Sequence, residues 1–325
     1  MRTISILIPC YNEQEVLHDL YDRLSMVMRK IDNYNFEVLF INDGSKDRTL
    51  DIIKSLRDFD KRISYVDLSR NFGKETAMIA GLDYAKGDAV VILDADLQDP
   101  PELISEMIDY WEQGYDDVFA KRRSRAGETW LKKRTAKIFY SLLKKTTKFS
   151  VQENTGDFRL LDRRCVEALR QLRESQRYTK GMFSWIGYNK KEILFDRDPR
   201  IAGETKWNYL KLFDLAIEGI TSFTKAPLRL STLIGTAVSA FAFIYMIIII
   251  MKTLFWGESV QGYPSLMVVI LFLGGIQLIS LGLLGEYIGR IFNETKNRPL
   301  YFIDEYNDEK INLLGHDKHP VKKGN

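Results

Sequence analysis

The chain has 325 residues, with 45% hydrophobic and 28% charged, and a formal net charge of +3 at pH 7. These values fit a folded chain of about two domains and exclude a low-complexity or disordered one. Cys10 and Cys165 are its only cysteines, which excludes a disulfide framework or zinc cluster and fits a reducing cytosol.

The N-terminus enters a strand pattern at once, so no signal peptide is expected. Ile4-Ser5-Ile6-Leu7-Ile8 reads as a strand that ends at Pro9-Cys10-Tyr11-Asn12-Glu13. Apolar spacing at Val16, Leu20, Leu24 and Val27 predicts a helix over residues 15–31. A second strand over residues 36–41 closes at Asn42-Asp43-Gly44-Ser45, and a helix follows over 47–59. Residues 63–68 form a third strand, and Asn71-Phe72-Gly73-Lys74 opens a helix that runs through Ala85. Val90-Val91-Ile92-Leu93 is then a strand buried on both faces, with Asp94 and Asp96 at its carboxyl end. Strands alternating with helices in this way predict a doubly wound α/β fold with a parallel sheet. No Gly-x-Gly-x-x-Gly follows the first strand, which disfavours a dinucleotide-binding oxidoreductase.

Polar residues recur at successive strand ends: Pro9, Tyr11 and Glu13, then Asp43, then Arg70 and Lys74, then Asp94 and Asp96. In an open α/β sheet these ends share the ligand-binding edge. In an extended path i and i+2 point the same way, so Asp94 and Asp96 can face one ligand. Their hard oxygens suit Mg²⁺ or Mn²⁺, whose remaining ligands come from substrate phosphates. Asp43 or Glu13 can accept hydrogen bonds from a base or ribose, so the set describes a nucleotide-diphosphate site. Taken singly, Asp-x-Asp also fits a surface turn, and Asp43 also fits a turn or helix-cap residue.

The ordered set Pro9-x-Tyr11-Asn12-Glu13, Asn42-Asp43-Gly44-Ser45, Arg70-Asn71-Phe72-Gly73-Lys74 and Asp94-Ala95-Asp96-Leu97-Gln98-Asp99-Pro100 resembles the family 2 glycosyltransferases of the GT-A fold. More narrowly it is similar to polyprenyl-phosphate glycosyltransferases, a group that includes bactoprenol glucosyltransferases and dolichyl-phosphate mannose synthases. The resemblance extends to about Tyr301. It implies a nucleotide site lined by Pro9, Tyr11, Glu13, Asp43, Arg70, Lys74, Asp94, Ala95 and Asp96, with the metal on Asp94 and Asp96. It also implies a UDP-sugar donor, a polyprenyl (undecaprenyl) phosphate acceptor and inverting transfer of a hexose, with UDP-glucose the expected donor and UDP-GlcNAc the alternative.

Past Gly127 the chain turns basic. Leu131, Ile138 and Leu142 recur at helical spacing among lysines, which predicts an interfacial helix over residues 129–148 with an apolar stripe and a cationic face. No aromatic platform or groove-reading motif accompanies the basic residues, so no nucleic acid partner is expected. In the resembled family the aspartate of the next segment, Gly156-Asp157-Phe158-Arg159, lies near the acceptor as the proposed base, a role that falls on Asp157. Lipid phosphate is already largely a dianion at neutral pH, so Asp157 could instead position the acceptor. A plain ion pair with Arg159 or Arg163 is the structural alternative. Arg200-x-x-Gly203-x-Thr205-Lys206 offers a guanidinium fork and a point charge for phosphate oxygens. It matches a family segment that closes over phosphate, with Thr205 replacing a serine. A second membrane-surface helix is predicted over 206–225.

Residues 230–251 and 265–285 are uncharged and long enough to cross a hydrocarbon core of about 30 Å. Spans are therefore expected over about 230–252 and 265–287, after a catalytic domain over 1–228. Lys225, Arg229, Arg290, Lys296 and Arg298 flank the outer ends of the pair, and the linker over 253–264 has no basic residue. The positive-inside rule then places the catalytic domain and both termini in the cytoplasm, on the inner or plasma membrane. Gly274, Gly275, Gly282, Gly285 and Gly289 give close-packing faces, so a homo-oligomer such as a tetramer is expected. Glu286 and Arg290, one turn apart, can pair. The remainder, residues 291–325, reads as a cytoplasmic tail that is polar and flexible after Tyr301. A processive polysaccharide synthase is disfavoured by the short membrane region and the lack of a Gln-x-x-Arg-Trp motif. The remaining alternative is a non-catalytic nucleotide-binding membrane scaffold.

Overall fold

The computed structural model describes residues 1–123, 155–175, 177–196, 226–256 and 262–311. The two expected interfacial helices, Arg200, Lys206 and the end of the tail lie outside the described residues. The chain divides into two units, Met1–Phe213 with Pro299–Asn325, and Asp214–Arg298.

The first unit is built on one sheet. Its strands are β1 (Thr3–Cys10), β2 (Asn35–Asn42), β3 (Ile63–Leu68), β4 (Ala89–Ile92), β5 (Asp117–Arg122), β6 (Thr155–Asp162), β7 (Lys190–Phe195), β8 (Ile303–Tyr306) and β9 (Glu309–Lys310). They lie in the order β7-β5-β6-β4-β1-β2-β3-β8-β9. The four central strands, β4-β1-β2-β3, are parallel, as the alternation of elements predicts. The flanks are not. β6 runs antiparallel between β4 and β5, and β8 runs antiparallel along β3. The sheet is therefore mixed, and the purely parallel reading holds only for its centre.

The helices are α1 (Leu17–Lys30), α2 (Thr49–Phe59), α3 (Lys74–Tyr84), α4 (Leu103–Glu112), α5 (Arg163–Gln171) and α6 (Thr179–Trp185). Alternate residues of β1 serve opposite faces, as strand geometry requires. Ile4, Ile6 and Ile8 join a core with Leu20 and Leu24 of α1, Ile53 of α2 and Met107 of α4. Leu7 faces α3 on the other side, where a Cβ on Gly81 would collide with its side chain. That close approach seats α3 against β1. Its first turn lies at the carboxyl edge of the parallel strands.

The expectation of a flexible tail is corrected for residues 303–310. Val66 pairs with Tyr306 and Leu68 with Ile303, so β8 covers the edge of β3. An exposed strand edge is a pairing template, which favours such a cover. Ile303 and Glu305 alternate inward. Glu305 is ion-paired to Lys54 at 2.8 Å and accepts a hydrogen bond from Tyr65. Asn307 and Asp308, at φ 50° and 71°, form the tight turn into β9. Tyr301 anchors the approach by donating to Asp83 at 2.7 Å.

The second unit is a helical hairpin of α7 (Ala226–Trp256) and α8 (Tyr263–Thr295). Both helices extend past the predicted spans. Among the described residues Phe272–Thr295 is long and apolar enough to cross a membrane, and Ser231–Tyr245 is a shorter apolar stretch. Ser231 and Ser280 hydrogen-bond between the helices at 2.8 Å, and the predicted Glu286–Arg290 pair forms at 3.0 Å.

Candidate active site

The loops after β1 and β2 lock onto each other through side chain–backbone bonds. Asn12 N donates to Ser45 Oγ at 3.0 Å, Lys46 N to Asn12 Oδ1 at 2.8 Å, and Glu13 N to Thr49 Oγ1 at 2.9 Å. Gly44 is required where these loops meet the next one. Its φ is +62°, and a Cβ there would lie 2.5 Å from the Arg70 carbonyl carbon. Pro9 closes β1 opposite Ile41, and Tyr11 remains exposed beside it.

Asp43 is buried, and its oxygens accept from Phe72 N at 2.7 Å and Gly73 N at 2.9 Å. The helix-cap reading of this residue is therefore the one its bonds express: it holds the start of α3. A carboxylate is favoured at a helix N-terminus. Burial raises the Asp43 carboxyl, against the pull of the Phe72 and Gly73 amides and the Arg70 charge. Arg70 itself is exposed and lies over the Phe72 ring, 4.2 Å from its centroid.

β4 delivers Asp94, Ala95 and Asp96 to the same edge. Gln98 N donates to Asp96 Oδ1 at 3.2 Å, and Leu97 takes a left-handed φ of 58°. A non-glycine residue there stores strain of about 1–2 kcal/mol. The strained turn aims the two carboxylates.

Lys74, the first residue of α3, joins this turn to β6. Its Nζ lies 2.6 Å from Asp94 Oδ1, 2.8 Å from Asp94 Oδ2 and 2.6 Å from Asp157 Oδ2. The alternative partners expected for Asp157 are engaged elsewhere. Arg159 pairs with Asp117 at 3.1 Å, both fully buried, and its guanidinium lies 3.7 Å from the Phe183 ring centroid. Arg163 reaches the Ala85 carbonyl at 3.1 Å and Glu167 at 3.4 Å. Burial alone would raise the Asp157 carboxyl, but the charges of Lys74 and Lys180 hold it well below the usual carboxylate range.

Two further residues of this cluster escaped the sequence reading. Glu75 accepts from Thr179 N at 3.1 Å, and burial together with the Asp157 charge raises its carboxyl. Nothing in the sequence separates it from an ordinary first-turn acid. Arg122, at the end of β5, lies beside the glycine that precedes Asp157. A Cβ on Gly156 would lie 3.4 Å from Arg122 Nη2 and 3.8 Å from Asp99 Oδ2. Its signal was the unread β5, whose antiparallel partner lies some 40 residues away in the chain.

The donor set can be tested against a divalent ion. Asp94 and Asp96 offer hard oxygens two residues apart, and an ammonium already faces both Asp94 oxygens. Among the described residues no group of three or more His, Cys, Asp or Glu forms an all-protein cage. The pair therefore fits an ion that completes its shell with substrate phosphate and water, as Mg²⁺ does.

Comparison with known proteins agrees with this geometry. Residues 5–170 match the family model Glycosyl transferase family 2, and residues 226–291 match the GtrB C-terminal hairpin. An uncharacterized glycosyltransferase of Synechocystis sp. is 51% identical over 93% of this chain and 95% of its own. The prophage bactoprenol glucosyl transferase homolog of Escherichia coli is 47% identical over 92% of this chain and 98% of its own. The bactoprenol glucosyl transferase of Shigella phage SfII is 47% identical over 92% and 97%. With these matches over most of its length, the chain belongs to glycosyl transferase family 2 and is a glycosyltransferase.

Proposed function

We propose that this glycosyltransferase moves glucose from UDP-glucose to a polyprenyl phosphate at the cytoplasmic membrane surface, with inversion at the anomeric carbon. The observation that carries the reading is the Lys74 bridge. It brings the Asp94 end of the donor turn and Asp157 of the acceptor-side segment to one ammonium, 2.6 Å from each. The activity for which the bactoprenol glucosyl transferases are named, 47% identical over most of this chain, suggests the sugar and the acceptor.

Each role follows from charge. A divalent ion on Asp94 and Asp96 would neutralise the departing diphosphate. Arg70, exposed beside Phe72, and Arg200 and Lys206, as the sequence suggests, add positive charge around phosphate. Asp157 is held ionised by Lys74 and Lys180, so it is a weak proton acceptor. The lipid phosphate is mostly dianionic already and needs no base. Asp157 thus serves to hold cations where the phosphate attacks. The hairpin keeps the site beside a substrate that stays in the bilayer, with both termini cytoplasmic, and its glycine faces support a homo-oligomer.

A donor screen tests the reading. The purified protein in detergent is given undecaprenyl phosphate, Mg²⁺ or Mn²⁺, and radiolabelled UDP- and GDP-sugars. Label from UDP-glucose alone should enter the organic phase and be lost with EDTA. Transfer from another donor would overturn the sugar. No transfer from any donor, with UDP still bound, would replace the enzyme by a nucleotide-binding scaffold.

A further inference from the structure

We infer that Lys74 is a resident cation that stands in for the divalent ion on Asp94 and moves to Asp157 when that ion binds. The inference rests on the assignment of the ion to Asp94 and Asp96.

Three features of the site carry it. First, the ammonium covers both oxygens of Asp94, at 2.6 and 2.8 Å. Oδ2 accepts its hydrogen bond and Oδ1 lies against it without one, so an ion on Asp94 meets a cation already beside both oxygens. Second, the receiving group is in place. Lys74 already touches Asp157 Oδ2 at 2.6 Å, and Asp157 Oδ1 is buried with no hydrogen-bond partner among the described residues. A vacant acceptor beside an occupied one lets the ammonium, with its three rotatable donors, exchange Asp94 for a second bond to Asp157. Third, the backbone is held while the side chain is partly exposed. The Asp43 carboxylate pins Phe72 and Gly73 just before Lys74, whereas the Lys74 side chain is 44% exposed. The movement is then a swing of one side chain.

The device links the two halves of the reaction. In the resting site one ammonium serves two carboxylates. Once the ion is seated, the whole lysine charge passes to the acceptor side, beside Asp157 and Lys180, where an incoming phosphate needs it. Donor binding thereby prepares acceptor binding, with Lys74 as a positioning residue.

The test titrates the full-length protein in detergent with Mn²⁺ alone and counts free Mn²⁺ by its paramagnetic resonance signal. Lys74→Met and Lys74→Gln should each bind Mn²⁺ about tenfold more tightly than wild type, because a competing positive charge is gone. Lys74→Arg should stay within about twofold of wild type. Asp157→Asn should weaken Mn²⁺ binding in the wild-type background, because Lys74 loses its second place. In the Lys74→Met background the same change should have no further effect beyond about twofold, since coupled sites are non-additive. Equal Mn²⁺ binding by wild type and both uncharged variants would overturn the inference. So would an Asp157→Asn effect that persists in the Lys74→Met background, which is what simple through-space attraction gives. Failure of the metal assignment is read separately: Asp96→Asn in the Lys74→Met background should abolish the gain, and if it does not, the ion is not held by Asp94 and Asp96.

Discussion

The two sides of the sheet satisfy their buried charges in different ways. On the donor side, residues 1–100, Asp43, Asp47 and Asp96 accept from backbone amides, those of Phe72 and Gly73, Thr49 and Gln98, while Asp94 is met by Lys74 and Asp83 by Arg173. On the acceptor side, residues 116–196, carboxylates are met by cationic side chains from distant strands and helices: Asp117 by Arg159, and Asp116 by Arg164. The Asp47 and Asp96 bonds lie within their own turns, whereas those of Asp43 reach the loop before α3. Ion pairs across the sheet exist only once the fold has brought their members together. The donor side therefore leans on loop amides and the acceptor side on ion pairs across the sheet.

The largest expected effect removes chemistry from the donor side without disturbing its framework. Asp96→Ala should lower glucosyl transfer by at least about a thousandfold, while circular dichroism and melting temperature stay near wild type. Near-normal turnover would break the metal assignment. On the acceptor side a single cut should instead cost stability. Arg159→Met leaves Asp117 fully buried with only Lys190, 4.0 Å away, as counter-charge. Losing one partner of such a pair costs about 3–5 kcal/mol. The double replacement Arg159→Met with Asp117→Leu should recover most of that loss in a denaturant titration. No recovery would mean that Arg159 acts chiefly through its contact with the Phe183 ring.

A smaller effect sharpens the same contrast. Asp43→Ala leaves two amides unsatisfied at the start of α3, at a cost of about 1–3 kcal/mol. Because those amides hold the loop that carries Arg70 and Lys74, the loss should appear first as weaker UDP binding by calorimetry. A drop in melting temperature with UDP affinity intact would make Asp43 structural only.

This division also decides what could be read from the sequence. β1 to β4 follow one another with helices between, so their apolar runs and end residues announce the donor edge. The positions of Pro9, Asp43, Lys74, Asp94 and Asp96 at that edge were legible because each lies at or just past the end of a readable strand or at the start of the helix after it. β5 and β6 were not legible as neighbours, because an antiparallel strand inserted between β4 and β5 leaves no periodic trace. The partner of Asp157 was missed for the same reason: Arg159 is near in sequence, yet it turns to Asp117, and Lys74 comes from another strand-helix unit. β8 was hidden by its polarity. Glu305 is buried against Lys54 and Tyr65, so a strand that binds through charge read as a tail.

Glu75 sits where the two sides meet, and its titration sets the finest test. Its carboxyl is raised first by burial and then by Asp157, against the pull of the Thr179 amide, Lys74 and Lys180. A raised folded-state value means the native protein binds the proton more tightly than the unfolded chain. The stabilisation is fully present below the unfolded glutamate value of about 4.3 and is lost as pH rises through the folded value. Glu75→Gln cannot ionise, so the melting temperature of wild type minus that of the variant should fall as pH is raised from 4.5 towards 8, by about 2 °C. Lys74→Met should steepen the wild-type trend, because it removes a cation that favours the charged glutamate. A difference that is flat with pH would mean that the Thr179 amide, Lys74 and Lys180 balance burial and Asp157. A difference that rises with pH would mean that Lys74 and Lys180 outweigh burial, and that the glutamate is ionised together with Asp157 in the resting site.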